Sequence, residues 1–222
     1  MDASGERAVC ELTHYFMQYY AWMGGGGLLV PRGMNPAVPP GAVVVLSGSP
    51  RKLPDETLDE RSPENVARVQ WGAQVALEGR LPLYLCGATE QLEPMMEIGR
   101  ESLGGMINPD FAAKILQLKP LDAGPRETAN TPTQFRAIAS LGLESVVAVT
   151  SGYHGPRTLL TAPIHAPGVA CAVSGVPYDR DWRYDAAVMA ATEISKIIEY
   201  SQRGDIADPG ELPPLGPFDS LP

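Results

Sequence analysis

The sequence predicts an α/β protein of three layers, with a mostly parallel five-stranded sheet covered by helices on both faces. Three observations carry that prediction. Short, unbroken runs rich in β-branched residues, such as Ala42 to Leu46 and Ser145 to Thr150, have the pattern of strands buried on both sides. Each run ends in turn chemistry and gives way to apolar residues at threes and fours, the spacing of a helix packed on a core. The alternation recurs along the chain, which implies right-handed crossovers between parallel strands and a Rossmann-like domain. That domain covers 41–204, between an N-terminal helix with its Gly/Pro connector (1–40) and a Pro-rich acidic tail (205–222).

The first helix is expected from Gly5 to Met23, where Val9, Leu12, Phe16, Tyr19 and Met23 form an apolar stripe. It caps the core or pairs with a second copy of the chain as a homodimer contact. Gly24 to Gly27 stop it, and the connector to Pro40 carries too much turn chemistry for regular structure. Ala42 to Leu46 is the first strand. Ser62 as N-cap and Pro63 in the first turn then open a helix with Val66, Val69, Ala73 and Ala76-Leu77 on one face, closed by Gly79. Leu83 to Cys86 is the second strand, followed by the turn Gly87-Ala88-Thr89 and a helix from Glu90 to Leu103.

The third strand is placed at Lys114 to Leu118, ahead of Pro120, Gly124 and Pro125. Thr131, Pro132 and Gln134 read as N-cap, first-turn proline and capping-box partner of a helix through Ser140. Ser145 to Thr150 is the fourth strand, with a short helix behind it that ends near Pro163. Val169 to Val173 is the fifth, and Asp185 caps a final helix carrying Ala186, Met189, Ile194, Ile197-Ile198 and Tyr200. From Asp205 the chain has five prolines and four acidic residues among eighteen positions, so the tail is expected to be mobile or draped over a surface and to add little burial.

Composition narrows the partners. Apolar residues at 44% and charged residues at 19% exclude a wholly disordered chain and a disulfide framework. A net charge of −9 repels a nucleic-acid backbone or an anionic membrane, though it leaves room for a local basic pocket. Cys10, Cys86 and Cys171 are odd in number, far apart and without metal spacing, which favours buried free thiols in a reducing cytosol. No basic leader with an apolar core and no run long enough for a bilayer is read from the sequence, so the expected location is cytoplasmic.

In a parallel sheet, ligands bind at the carboxyl ends of the strands, so the chemistry is sought in the loops that follow them. The first, Ser47-Gly48-Ser49-Pro50-Arg51-Lys52, has small residues that let backbone N–H groups approach an anion and two cations to close on it; a plain turn is the alternative. The fourth holds Thr150, Ser151, Gly152, Tyr153, His154 and Arg157. A histidine and an arginine three apart at a helix start can face one anionic group, or else cap a turn and pair with a carboxylate. Cys86 is expected to be an inert buried thiol, and His14 and His165 to be structural. Tyr178 to Tyr184 reads equally as a base-stacking segment and as a helix-entry loop.

The run Val149-Thr150-Ser151-Gly152-Tyr153-His154-Gly155-Pro156-Arg157, with Glu127-Thr128-Ala129-Asn130-Thr131 and Val43-Val44-Val45-Leu46-Ser47-Gly48, resembles the YdcF-like, SanA/ElyC-type family of bacterial proteins over residues 42–200. The resemblance implies a Rossmann-like fold and a ligand site built from these loops. It implies adenosyl or nucleotide-type ligands for some members and envelope carrier metabolism for others. Carried across, ligand contacts fall on Ser47, Gly48, Ser49, Glu127, Asn130, Thr131, Gly152 and Tyr153, and catalytic roles on Ser151, His154 and Arg157. Three departures limit it: Pro132-Thr133-Gln134 where the family has an acidic residue and another Asn, Cys86-Gly87-Ala88 in place of Ser-Gly-Gly, and no membrane anchor read from the sequence.

The expected function is a cytosolic enzyme acting on a small anionic or nucleotide-like molecule, a transferase or hydrolase, with S-adenosylmethionine or a nucleotide as candidate cofactor and no metal. His154 is then the general acid/base and Arg157 the anion clamp. The alternative is a non-catalytic sensor or accessory protein for the same class of ligand.

Overall fold

A computed structural model of the chain describes residues 9–16, 18–19, 28–30, 38–106, 117–176, 186–213 and 215, and of 186, 187, 189 and 190 the backbone alone. A first helix, α1, spans the described residues 9–16 and 18–19. The strands are β1 (Leu28–Leu29), β2 (Ala42–Leu46), β3 (Arg51–Lys52), β4 (Leu58–Asp59), β5 (Leu83–Gly87), β6 (Leu118–Asp122), β7 (Ser145–Ser151) and β8 (Ala170–Val176). The remaining helices are α2 (Pro63–Gly79), α3 (Thr89–Met106), α4 (Thr131–Ala139), α5 (Gly155–His165) and α6 (Ala186–Arg203).

Six strands form one sheet in the order β1-β8-β7-β2-β5-β6, and β3 pairs with β4 in a separate hairpin. All neighbours in the large sheet run parallel except β1 against β8. Every residue of β2 and of β7 is buried, because both faces are covered. Alternate residues still go to different layers. Val43, Val45, Leu83, Leu85, Val147 and Val149 pack with α2 and α3, whereas Val44, Leu46, Val146, Ala148, Cys171 and Val173 pack with α1, α4, α5 and α6. The result is the expected three-layer Rossmann-like architecture. α2 lies close on the sheet at Gly72, where a Cβ would overlap the Val45 Cγ2 methyl.

Several sequence expectations are corrected. The sheet has six strands rather than five, because β1 lies inside the connector read as irregular. Two residues carry no periodicity, and what places them is pairing of Leu28 with Ser174 and Leu29 with Val173. The strand expected at Lys114 to Leu118 is β6, starting at Leu118; of the expected span, 114–116 lie outside the described residues. Pro120 does not end it, since β6 is an edge strand paired only with β5 and a missing N–H on its outer side breaks no ladder bond. β8 extends past Val173 to Val176. α2 begins as expected, with Ser62 Oγ accepting from Asn65 N at 3.3 Å, and ends at Gly79 through a left-handed Arg80 (φ 52°). The expected cap at Asp185 and the segment Tyr178 to Tyr184 lie outside the described residues.

The appendages pack. In α1, Leu12, Phe16 and Tyr19 are buried in the core beside β8 and α5, so the stripe offered as a dimer contact is covered by the chain's own residues. Cys10, on the other side of that helix, is exposed rather than buried; Cys86 and Cys171 are buried. The first part of the tail is draped over α5: Ala207 N donates to Leu160 O at 2.9 Å and His165 Nε2 to Asp205 O at 2.9 Å. Contrary to the expectation of little burial, Ile206 and Leu212 are each only 5% exposed. Leu212→Ala should therefore cost about 2 kcal/mol or more and lower the melting temperature by at least about 4 °C at this chain length. An unchanged melting curve would contradict the packed tail.

Candidate functional site

The strand order reverses between β2 and β7: from β2 the chain moves outward to β5 and β6, then returns to β7 and β8 on the other side. Such a switch point opens a crevice at the carboxyl ends of the two strands. Here it holds a cleft of about 270 Å³, lined by the loops at 47–50 and 126–131, the segment 153–157, and residues from α2, α3, α4 and α6. A larger cavity of about 390 Å³ lies at the opposite end of β8, between α5 and the tail, with mostly apolar walls.

The edge is built around α2. Arg68 is 3% exposed and donates through NH1 to Leu46 O (2.9 Å) and Ser47 O (2.7 Å), through Nε to Ser151 Oγ (2.9 Å), and through NH2 to Glu64 Oε1 (2.5 Å). Glu64 Oε1 also accepts from the hydroxyls of Ser151 (2.7 Å) and Tyr153 (2.5 Å). Burial opposes ionisation of Glu64, but the Arg68 charge and these hydrogen bonds outweigh it and hold the carboxyl below its ordinary value. Burial raises the Tyr153 hydroxyl, with Arg68 opposing and Glu64 reinforcing, so the phenol stays a donor.

The first loop is already satisfied from within. Ser47 N donates to Cys86 O (2.7 Å), Gly48 N to Asn65 Oδ1 (2.6 Å), and Ser47 Oγ and Gly48 O accept from Gln134 and Gln91 at 2.9 and 3.0 Å. The Gly48 N–H offered as part of an anion cradle is thus engaged. A Cβ at Gly48 would come within 2.7 Å of the Glu64 carboxyl, which is why glycine stands there. Ser47, Gly48 and Ser49 do line the cleft, but Arg51 and Lys52 do not close on it. They form β3 and pair with Asp59 at 2.9 Å and Glu56 at 3.3 Å.

At the start of α4 the cap is Asn130 rather than Thr131. Asn130 Oδ1 accepts from Thr133 N (3.0 Å) while Asn130 N donates to Thr133 Oγ1 (2.8 Å), so Gln134 is not the capping partner and reaches instead to Ser47. The shift by one residue frees Thr131. Its buried hydroxyl lies 3.3 Å from His154 Nε2 and accepts from Arg157 NH1 at 3.3 Å. Asn130 and Thr131 line the cleft; Glu127 is exposed and does not.

His154 is buried between two hydroxyls, with Thr150 Oγ1 at 2.9 Å from Nδ1 and Thr131 at Nε2. Burial first, and then the charges of Arg157, Arg68 and Lys196, hold its pKa well below the ordinary value, so the ring is neutral. A neutral imidazole donates from one nitrogen and accepts at the other, and each threonine hydroxyl can serve either. Arg157, 7% exposed, closes its fork on Glu193, with Nε to Oε2 at 2.6 Å and NH2 to Oε1 at 3.1 Å. Its guanidinium lies 5.3 Å from the centre of the Tyr200 ring, and Lys196 Nζ reaches Glu193 at 3.4 Å. Ser151 and Gly152 do not line the cleft, and the Ser151 hydroxyl is committed to Arg68 and Glu64.

Glu64, Arg68, Gln91, Arg126, Glu193 and Lys196 were not foreseen. The pairs Glu64/Arg68 and Glu193/Lys196 have the spacing of ordinary solvated helix pairs. One signal was present: Asn65, Arg68 and Gly72 fall on the same buried face of α2 as Val69, Ala73 and Ala76, so polar groups occupy the core stripe at its N-terminal end. Outside the cleft, His14 meets Gln18 at 2.9 Å. Cys86 is buried with its thiol raised, first by burial and then by Asp122. Among the described residues no three His, Cys, Asp or Glu side chains come close enough to hold a metal ion, and no helix is long and apolar enough to cross a membrane.

Fold and site together define a Rossmann-like α/β protein with a polar cleft at its switch point. No family model matches the chain, and neither do the curated proteins or the solved structures.

The neutral His154 makes stability pH-dependent. Because its folded pKa lies below the unfolded value near 6.5, only the unfolded chain takes up the proton as pH falls through 6.5. Stability should drop below that pH by up to about 1.4 kcal/mol per unit. Glu64, also depressed, contributes its loss only lower, below about 4.5. Urea denaturation of wild type and His154→Gln between pH 5 and 7.5 should show a shallower slope in the variant; equal slopes would contradict a buried neutral ring.

Proposed function

We propose that the chain is a cytoplasmic, YdcF-like protein that binds a small anionic ligand, a phosphate-bearing or nucleotide-type molecule, in the cleft at the switch point. The charge of the walls is the observation that carries this. Arg68, Arg126, Arg157 and Lys196 face Glu64 and Glu193, four cations to two carboxylates, on a chain whose net charge is −9. Counting Glu60, which pairs with Arg126 from behind, the excess is still positive. A concave positive site on a negative molecule concentrates field on an anion.

Volume limits the ligand. About 270 Å³ is just under the usual range for small-molecule sites, roughly 300 to 1,000 Å³, so the cleft suits a small metabolite or the charged end of a larger one. In an enzyme, His154 is the proton carrier. It is neutral, it lines the cleft, and its Nε2 exchanges a proton with a ligand atom that replaces Thr131 as its partner. A non-catalytic sensor is favoured by one observation: both histidine nitrogens and the Arg157 fork already have partners in the ligand-free protein.

A thermal-shift panel tests binding. Inorganic phosphate, nucleoside phosphates, S-adenosylmethionine and uncharged adenosine at about 100 times their dissociation constants would each stabilise a binding protein by about 2.7 kcal/mol. The phosphates should raise the melting temperature by about 5 °C or more, while uncharged adenosine and S-adenosylmethionine, whose net charge is positive, do not. No shift with any anion, or an equal shift with adenosine, would overturn the assignment. For a turned-over ligand, His154→Gln should cut turnover by about 10² to 10⁴ with binding kept; a sensor shows no turnover in wild type.

A further inference from the structure

The three arginines on the cleft walls are not equally occupied. A guanidinium carries five N–H donors in a fixed fork. Arg68 donates to Leu46, Ser47, Ser151 and Glu64, and Arg157 makes two bonds to Glu193 and one to Thr131. Arg126 makes one side-chain bond, from NH2 to Glu60. Its Nε is buried and has no hydrogen-bond partner among the described residues. It is also the most exposed of the three, with a side chain 34% accessible against 3% and 8%.

Few contacts hold the head of Arg126 in place. Its backbone is pinned at the start of α3, where Arg126 N donates to Glu90 Oε2 at 3.2 Å, and the chain enters from Gly124 at φ +98°. The guanidinium is held by a carboxylate alone. That carboxylate is itself anchored, since Glu60 is 11% exposed and its Oε2 accepts from Gln91 Nε2 at 3.1 Å. Glu60 therefore stays in place whether or not Arg126 remains on it.

Resting on the reading of the cleft as an anion site, we propose that Arg126 is the residue that captures the ligand's oxyanion and that Glu60 is its internal competitor. In the ligand-free protein the Glu60 carboxylate occupies the guanidinium. An incoming oxyanion draws the head off Glu60 and takes two of its N–H groups, the orphaned Nε–H among them, in a charge-assisted fork. Displacing a carboxylate favours a ligand of higher charge, so the site selects a phosphate monoester or free phosphate over a monocarboxylate of similar size. Arg68 and Arg157, each fixed in a buried pair, set the positive field without leaving their partners.

Calorimetric titration with inorganic phosphate and with acetate, on wild type, Arg126→Gln, Arg126→Lys and Glu60→Gln, tests this. Wild type should bind phosphate in preference to acetate. Arg126→Gln should weaken phosphate binding about 10- to 100-fold, the scale of lost hydrogen bonds to a charged group, and Arg126→Lys should recover only part of it. Glu60→Gln should do the opposite and tighten phosphate binding about two- to fivefold, as expected when a partly exposed ion pair no longer competes. Melting curves recorded on the same samples identify any variant that fails to fold, and the Glu60→Gln gain cannot arise from lost structure. If Glu60→Gln weakens binding as Arg126→Gln does, or leaves it unchanged, the pair only holds the loop and the competitor role is overturned. If wild type binds neither anion, the anion-site reading falls and takes this proposal with it.

Discussion

One buried guanidinium governs the edge at which the cleft opens. Arg68, reaching from the second turn of α2 across the ends of two strands, takes the last carbonyl of β2, the carbonyl of Ser47 just beyond it and the last hydroxyl of β7. A charge so enclosed is tolerated because Glu64 lies one turn away and because carbonyl and hydroxyl acceptors use its remaining donors. Removing either member of such a pair strands the other, at a cost of about 3 to 5 kcal/mol. Through Glu64 the same group fixes Ser151 and Tyr153, and the Glu64 carboxyl in turn demands glycine at 48. The positions of the first and fourth loops thus depend on residues in neither.

A second buried pair, Arg157 with Glu193, repeats the device on the opposite layer, tying α5 to α6. His154 sits between the two. Flanked by positive charge and largely buried, it stays neutral, which makes it a hydrogen-bonding hub for Thr131 and Thr150. The cleft therefore has walls of paired, committed charges, and the least committed of its arginines is Arg126, whose side chain makes a single ion pair with Glu60 from a turn held by Glu90.

Much of the fold was legible because its central strands are buried on both faces and its helices carry signals at their starts. Ala42 to Leu46 is a strand as read, Ser145 to Thr150 is a strand that runs one residue further to Ser151, and Ser62-Pro63 marks the start of α2 to the residue. What sequence could not show was set by tertiary contact. β1 is two residues held by β8, and Pro120 is permitted only because β6 is an edge. Asn130 and Thr131 are both plausible caps, and which of them turns inward depends on His154 and Arg157 lying beneath.

The site divides in the same way. The loops that line the cleft were among those singled out from sequence, because the search was directed to the carboxyl ends of parallel strands. The helical residues Glu64, Arg68, Glu193 and Lys196 were missed because an i,i+3 or i,i+4 charge pair looks alike in water and in a core. Arg126 stands one position before the loop segment singled out at 127–131, and its neighbour Glu127, which was singled out, is exposed.

The most direct measurement of the central claim is a phosphate titration followed by amide chemical shifts in a nuclear magnetic resonance spectrum. The largest changes should fall together on Gly48, Arg126, Asn130, Thr131, Tyr153 and His154, which only the switch point brings to one edge. Changes centred instead on Leu159, Cys171 and Ala207, around the apolar cavity at the other end of β8, would contradict it.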